Sequence, residues 1–353
     1  MAGTKTNPGN YFEDFKVGQE IVHATPRTIT TGDASLYTAL YGTRFAVPSS
    51  TAFAQALGLA AAPVDDVLAF HVVFGKTVPD ISLNAIANLG YAGGRFGAPV
   101  YPGDSVQTVS TVVGLRENKN GKSGVVYVRS VGTNQRGETV LDYVRWVMVN
   151  KKDTGAPTPD PVVPNLPGAV PAEELTVPEG LDLSRYDTAL AGSPHLWDDY
   201  EPGEKIDHVD GMTIEEAEHQ IATRLYQNTA KVHFNQFTEK DGRFGRRIIY
   251  GGHVISLARS LSFNGLANAF KVAAINAGTH ASPTFAGDTV YAWSEVLERI
   301  ELPGRSDVGG LRLRTVATKD RPCADHPFKT ADGKYADGVV LDFDYTVLMP
   351  RRR

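Results

Sequence analysis

The chain reads as two tandem copies of one α+β domain, each with helices first and antiparallel strands after. Residues 12–21, FEDFKVGQEI, return at 197–206 as WDDYEPGEKI, an offset of 185. The same offset carries Thr28-Ile29 onto Thr213-Ile214 and Leu40-Tyr41 onto Leu225-Tyr226. Farther on, PVYPGDSV at 99–106 answers PTFAGDTV at 283–290, and LDYVRWVMV at 141–149 answers LDFDYTVLM at 341–349. Solenoid and propeller units repeat every 20–50 residues or so, far below this period. The predicted copies are 1–150 and 181–353, with 151–180 between them.

The elements follow in the same order in each copy. A lead-in ends at a glycine turn, Val17-Gly18 or Pro202-Gly203. A helix is predicted over 31–41 and again over 215–227, where Ala217, Ile221, Ala222 and Leu225 fall at near-helical spacing. A longer apolar helix is predicted next, over 51–62 (TAFAQALGLAAA) and 251–263 (GGHVISLARSLSF). β-Branched and aromatic runs then dominate: SVQTVSTVVGL, SGVVYVRSVGT and TVLDYVRWVMV in the first copy, TVYAWSEVLERI, GLRLRTVAT and VVLDFDYTVLM in the second. The prolines at 157, 159, 161, 164, 167, 171 and 178 predict a semi-rigid connector without backbone pairing. A lone sheet of this kind leaves bare strand edges, so the two sheets are expected to join edge to edge.

Composition narrows the function. Of 353 residues, 42% are hydrophobic and 21% charged, as in a globular protein. A net charge of −5 and a pI near 6.0 argue against a nucleic-acid partner. No apolar run approaches the roughly 20 residues of a membrane span. MAGTKTNPGNYF lacks a signal-like hydrophobic stretch, which makes the cytoplasm the expected location. Cys323, the single cysteine, has no internal disulfide partner and no metal motif around it. No metal is expected.

The two copies disagree where chemistry is expected. The segment LYQNTAKVHFN, 225–235, runs on to RRIIYGGHVISLARSL, 246–261. Together they resemble the MaoC-like dehydratase and (R)-specific enoyl-CoA hydratase family. The similarity spans about residues 11–349 and is carried also by YFEDFKVGQEIVHATPRTIT, SLYTALYGTRFAV and NAIANLGYAGGRFGAPVYPGDSV. It implies a double hot-dog fold, in which each sheet wraps a long helix. It further implies an acyl-CoA partner, no cofactor beyond the CoA of the substrate, and a homodimer or higher homo-oligomer. The family places an Asp five residues before a catalytic His, with a Gly opening the central helix. Here the slots hold Asn228, His233 and Gly251, followed by Gly252. The first copy has Thr43 and Pro48 in the same slots, so it is expected to be catalytically silent and to shape the acyl or CoA pocket.

The chemistry fits these residue types. Adding water to an enoyl thioester means taking a proton from water and supporting charge on the thioester oxygen. A neutral histidine can exchange the proton, and N–H groups at a helix start can hold the oxyanion. Asn228 is read as orienting the water. The resemblance implies a short branched enoyl-CoA with a second carboxylate, beside which an Asp would be repelled. Gly251 and Gly252 are read as letting substrate approach the backbone. Arg44, Arg243, Arg246 and Arg247 are candidates for binding that carboxylate or the CoA phosphates, each against a plain solvated alternative. His253 is read as packing, Asp65-Asp66 and the Gly-Asp pairs at 103–104 and 287–288 as loop and turn residues. Thioesterase activity and a non-catalytic acyl-CoA-binding role remain the alternatives.

Overall fold

A computed structural model describes residues 5–352, so residues 1–4 and 353, at the outer ends of the two expected copies, lie outside the described residues. Eleven strands form a single sheet. They are β1 (Glu20–Val22), β2 (Arg27–Thr28), β3 (Ala85–Phe96), β4 (Ser105–Glu117), β5 (Ser123–Thr133) and β6 (Thr139–Asn150) in the first half. The second half contributes β7 (Lys205–Thr213), β8 (Lys271–His280), β9 (Thr289–Glu301), β10 (Val308–Lys319) and β11 (Val339–Pro350). Their order is β1-β4-β5-β6-β3-β8-β11-β10-β9-β7, with β2 also beside β4.

The halves meet edge to edge at β3 and β8, where Ala92 faces Ala277 and Gly94 faces Ile275. Small residues make this seam possible. A Cβ on Gly94 would lie 2.9 Å from Ile275 Cβ. The six strands read from the sequence are all present, whereas β1, β2, β3, β7 and β8 were not anticipated. Runs such as AIANLGYAGG lack the β-branched signature because here a close backbone approach matters more than side-chain bulk.

Each half lays one long helix on the sheet. In the second half it is Gly251–Leu261, as expected. In the first half it is Asp66–Thr77, which the offset of 185 maps onto the same start, and the expected helix over 51–62 is wrong. Thr51–Ala56 makes only a short helix that ends before Gly58, whose φ of +84° suits a residue without Cβ. The run DVLAFHVVFGKT has the poorer helix propensity but is buried from Val67 to Thr77. Burial of each large apolar side chain contributes about 1.5–3 kcal/mol, which outweighs propensity differences of tenths. Asp65 caps this helix, its carboxylate accepting from Val67 N–H at 2.8 Å, and Asp66 pairs with Lys271 at 3.0 Å. The two acids are therefore more than loop residues.

The connector also departs from expectation, because it does pair. Val162 and Leu115 exchange both backbone hydrogen bonds, at 2.8 and 2.9 Å. A Cβ on Gly114 would meet Val162 O at 2.5 Å, so the glycine admits the connector against β4. Val170 N–H then donates to Asn276 Oδ1 on β8, and Val170 and Leu175 join a hydrophobic cluster with Phe270 and Leu348. The prolines stiffen a strap that packs on the sheet.

Candidate active site

Five histidines collect between the two long helices. His233 ends a short 3₁₀ turn, Lys231–His233, and is half-buried. Its Nδ1 lies 3.0 Å from the carbonyl oxygen of Ile248. A carbonyl only accepts, so Nδ1 carries the proton and Nε2 keeps the lone pair of a base. Burial pulls the His233 pKa down to about 4, so the ring is neutral at physiological pH.

His219, which the sequence reading missed, stands edge-on to His233 with ring centroids 6.0 Å apart. Its Nε2 accepts from the backbone N–H of Tyr250, the residue that caps the second long helix, at 2.9 Å. His219 thus fixes the start of that helix, where the N–H of His253 donates to Tyr250 O at 2.8 Å. His253 accepts from Tyr41 O–H at 2.8 Å and is buried, in keeping with its expected packing role.

Gly251 and Gly252 open the helix at a point where aromatic and imidazole rings approach its backbone closely. A Cβ on Gly251 would lie 2.4 Å from the ring of His280, and one on Gly252 would lie 2.4 Å from Tyr250 and 2.5 Å from His71. Rings occupy the space a Cβ would need at both positions. His280, also unanticipated, therefore sits over the helix N-terminus, and its Nε2 meets Tyr91 Oη of β3 at 3.2 Å. The first half in this way reaches into the site. The pKa of His280 is lowered to about 4, by burial first and then by the neighbouring His233.

Asn228 is buried, with its Oδ1 accepting from Ala230 N–H at 3.1 Å and its N–H donating to Thr223 O at 2.9 Å. The left-handed residue in this turn is Gln227, φ +53°, one position before the asparagine. With Oδ1 engaged, the amide NH₂ is the group left to meet water or substrate. Asn228, Thr229 and Phe234 line a cleft of about 590 Å³ together with Thr25, Gly75, Lys76 and Arg224. That volume lies in the range of small-molecule sites.

The arginine candidates divide. Arg44 is exposed and stacks on Phe263 at 4.5 Å, beyond the far end of the helix that Gly251 opens, so the structure does not bring it to the histidines. Arg247 pairs with Glu216 and donates to Phe234 O at 3.3 Å, next to His233. Arg243 and Arg246 are exposed and stack on Phe244 at 5.0 Å and Phe285 at 4.0 Å. The matching slots of the first half, Thr43 and Pro48, carry no acid–base group; Thr43 Oγ1 lies 3.5 Å from Asp65. Among the described residues, no three His, Cys, Asp or Glu are placed to hold one metal ion. No helix among them is long and apolar enough to cross a membrane.

A duplicated sheet wrapped on two helices, with a histidine beside one helix N-terminus, defines a MaoC-like double hot-dog protein. A crystal structure of a putative MaoC domain dehydratase from Chloroflexus aurantiacus matches with a TM-score of 0.98 and 70% identity, covering 99% of this chain and 100% of the other. A Mycobacterium tuberculosis protein described as a double hotdog fold matches with a TM-score of 0.75 and 25% identity over 97% and 98% of the two chains. The mesaconyl-CoA hydratase family model matches residues 2–328, and the chain belongs to that family. It is 70% identical to the β-methylmalyl-CoA dehydratase of Chloroflexus aurantiacus, over 99% of both chains. It is 62% identical to the mesaconyl-CoA hydratase of Cereibacter sphaeroides, over 98% of this chain and all of the other.

Proposed function

We propose that this chain interconverts mesaconyl-CoA and β-methylmalyl-CoA by adding or removing water. The observation that carries the chemistry is the pairing of His233 Nδ1 with the Ile248 carbonyl, which leaves Nε2 a free base next to a helix N-terminus. In hydration, Nε2 takes a proton from water while the oxygen bonds to the β-carbon of the enoyl thioester. The electron pair moves to the thioester oxygen, where the N–H groups of Gly251 and Gly252 and the positive end of the helix stabilise it. Collapse of the enolate takes a proton at the α-carbon, and His233 returns to its neutral state. The Asn228 amide orients the water, and Arg243, Arg246 and Arg247 are the candidates to bind the CoA phosphates or the second carboxylate.

The step is redox-neutral, so no cofactor beyond the substrate's own CoA is needed. The first half supplies Tyr91 and the pocket wall instead of a second catalytic site. A cytoplasmic homo-oligomer is part of the same proposal.

The test is incubation with mesaconyl-CoA, followed by enoyl-thioester absorbance and by free thiol. The absorbance is expected to fall without CoA release. Thiol release at the same rate would indicate a thioesterase, and binding without either change a non-catalytic module.

A further inference from the structure

The cleft beside Asn228 holds a cation without a counter-ion. Lys76 is the one charged residue inside the first long helix after its opening Asp66, and it is 4% exposed. Its Nζ reaches Thr25 Oγ1 at 3.4 Å and the side-chain oxygen of Gln227, both neutral acceptors. Among the described residues, no carboxylate pairs with it, whereas neighbouring Arg27 is paired with Asp33. A nearly buried ammonium group without an anion is costly, and burial followed by Arg27 pulls the Lys76 pKa down.

The repeat sharpens the anomaly. The matching position in the second helix is Leu261, an apolar core residue, so the fold does not require a lysine there. Gly75 brings the helix against the turn that carries Asn228, because a Cβ there would lie 1.9 Å from Tyr226 O. Lys76 and Asn228 consequently share one cleft, with Gln227 between them.

We infer that Lys76 is the residue that selects a substrate bearing a second carboxylate, pairing with that carboxylate in the Asn228 cleft. This rests on the hydratase reading above. It also gives Asn228 a second reason to be neutral. An aspartate at 228 would pair with Lys76 and cancel the charge meant for the substrate, in addition to repelling the carboxylate directly.

The experiment compares kcat/KM for mesaconyl-CoA with that for crotonyl-CoA, which lacks the second carboxylate, in wild type, Lys76→Leu and Lys76→Gln. Leucine is the residue that the repeat places at the matching position, and glutamine keeps a polar group for Thr25 and Gln227 without the charge. The mesaconyl-to-crotonyl ratio is expected to fall at least 100-fold in both variants. A ratio within about three-fold of wild type in a variant that melts normally overturns the assignment of Lys76. Should wild type fail to hydrate mesaconyl-CoA at all, the functional reading fails first, and the inference falls with it.

Discussion

Tyr226 donates a hydrogen bond to Tyr41 at 2.7 Å, and the two residues are 185 apart, one repeat exactly as the lead-in sequences define it. A residue can touch its own repeat equivalent only where the axis relating the two halves passes. His71 Nε2 and Ser256 Oγ, also 185 apart, meet at 2.9 Å and mark the same axis. The hydrogen-bond chain runs on from Tyr41 to His253, so the dyad and the long helix of the second half share one buried network.

That network predicts an asymmetry between two similar substitutions. Tyr41→Phe takes the donor from His253 Nδ1 and one of the partners of the Tyr226 hydroxyl, which keeps Ser256, whereas Tyr226→Phe removes only one donor to Tyr41. Each stranded buried group costs about 1–3 kcal/mol. Urea unfolding is therefore expected to show Tyr41→Phe as the more destabilised by at least about 1 kcal/mol. Equal losses would mean that the chain is not a connected network.

The clustered histidines, three buried and two half-buried, set a pH dependence. His71, His219, His233, His253 and His280 have pKa values lowered to between about 2 and 4, chiefly by burial, against an ordinary value of 6.5. The unfolded chain binds their protons at a higher pH than the folded one. Stability is thus fully present above about pH 6.5 and is lost as pH falls through the window down to the folded values. Each titrating ring contributes up to about 1.4 kcal/mol per pH unit. Unfolding free energies measured from pH 8 to pH 4.5 should be flat at first and then decline steeply below about 6.5. A flat profile to pH 4.5 would contradict the buried, neutral cluster.

Much of this architecture was legible in the sequence, but unevenly. Six strands announced themselves through β-branched residues whose side chains fill the sheet faces. The seam strands β3 and β8 did not, since their alanines and glycines are chosen for backbone approach. The first long helix was misread because Ala-rich 51–62 has the better local propensity, although the 185 offset from Gly251 already pointed to Asp66. At the site, the slot pattern picked out His233, which lies beside the helix N-terminus, and Pro48 in the matching slot leaves the first half without that histidine. His219, His280, Tyr91 and Lys76 were missed, because each acts through contacts between distant segments that no local motif records. Arg44 was chosen by its place in the vestigial slot, but the helix separates that slot from the histidines.

His280 lies over the helix N-terminus, with Tyr91 at its Nε2 and its Cε1 edge toward Gly251. The Gly-Asp turns align it with Phe96 of the first half, so a phenylalanine suits the fold at this position. His280→Phe should keep its melting temperature within a few degrees and lose at least about ten-fold in kcat, because the ring packs over the N–H groups proposed to hold the thioester oxygen. An unchanged kcat would reduce His280 to a packing residue.

Asn228→Asp should lower activity on mesaconyl-CoA more than on crotonyl-CoA. The expected change in relative specificity is about ten-fold or more, equivalent to roughly 1.4 kcal/mol. Equal losses on the two substrates would assign Asn228 to the turn it forms with Ala230 and to nothing electrostatic.

The most direct measurement is the turnover of mesaconyl-CoA by His233→Ala, with circular dichroism and melting to verify the fold. Loss of the base should reduce kcat by about 10²–10⁴-fold with the protein still folded. Turnover above a tenth of wild type would remove His233 from proton transfer and contradict the mechanism.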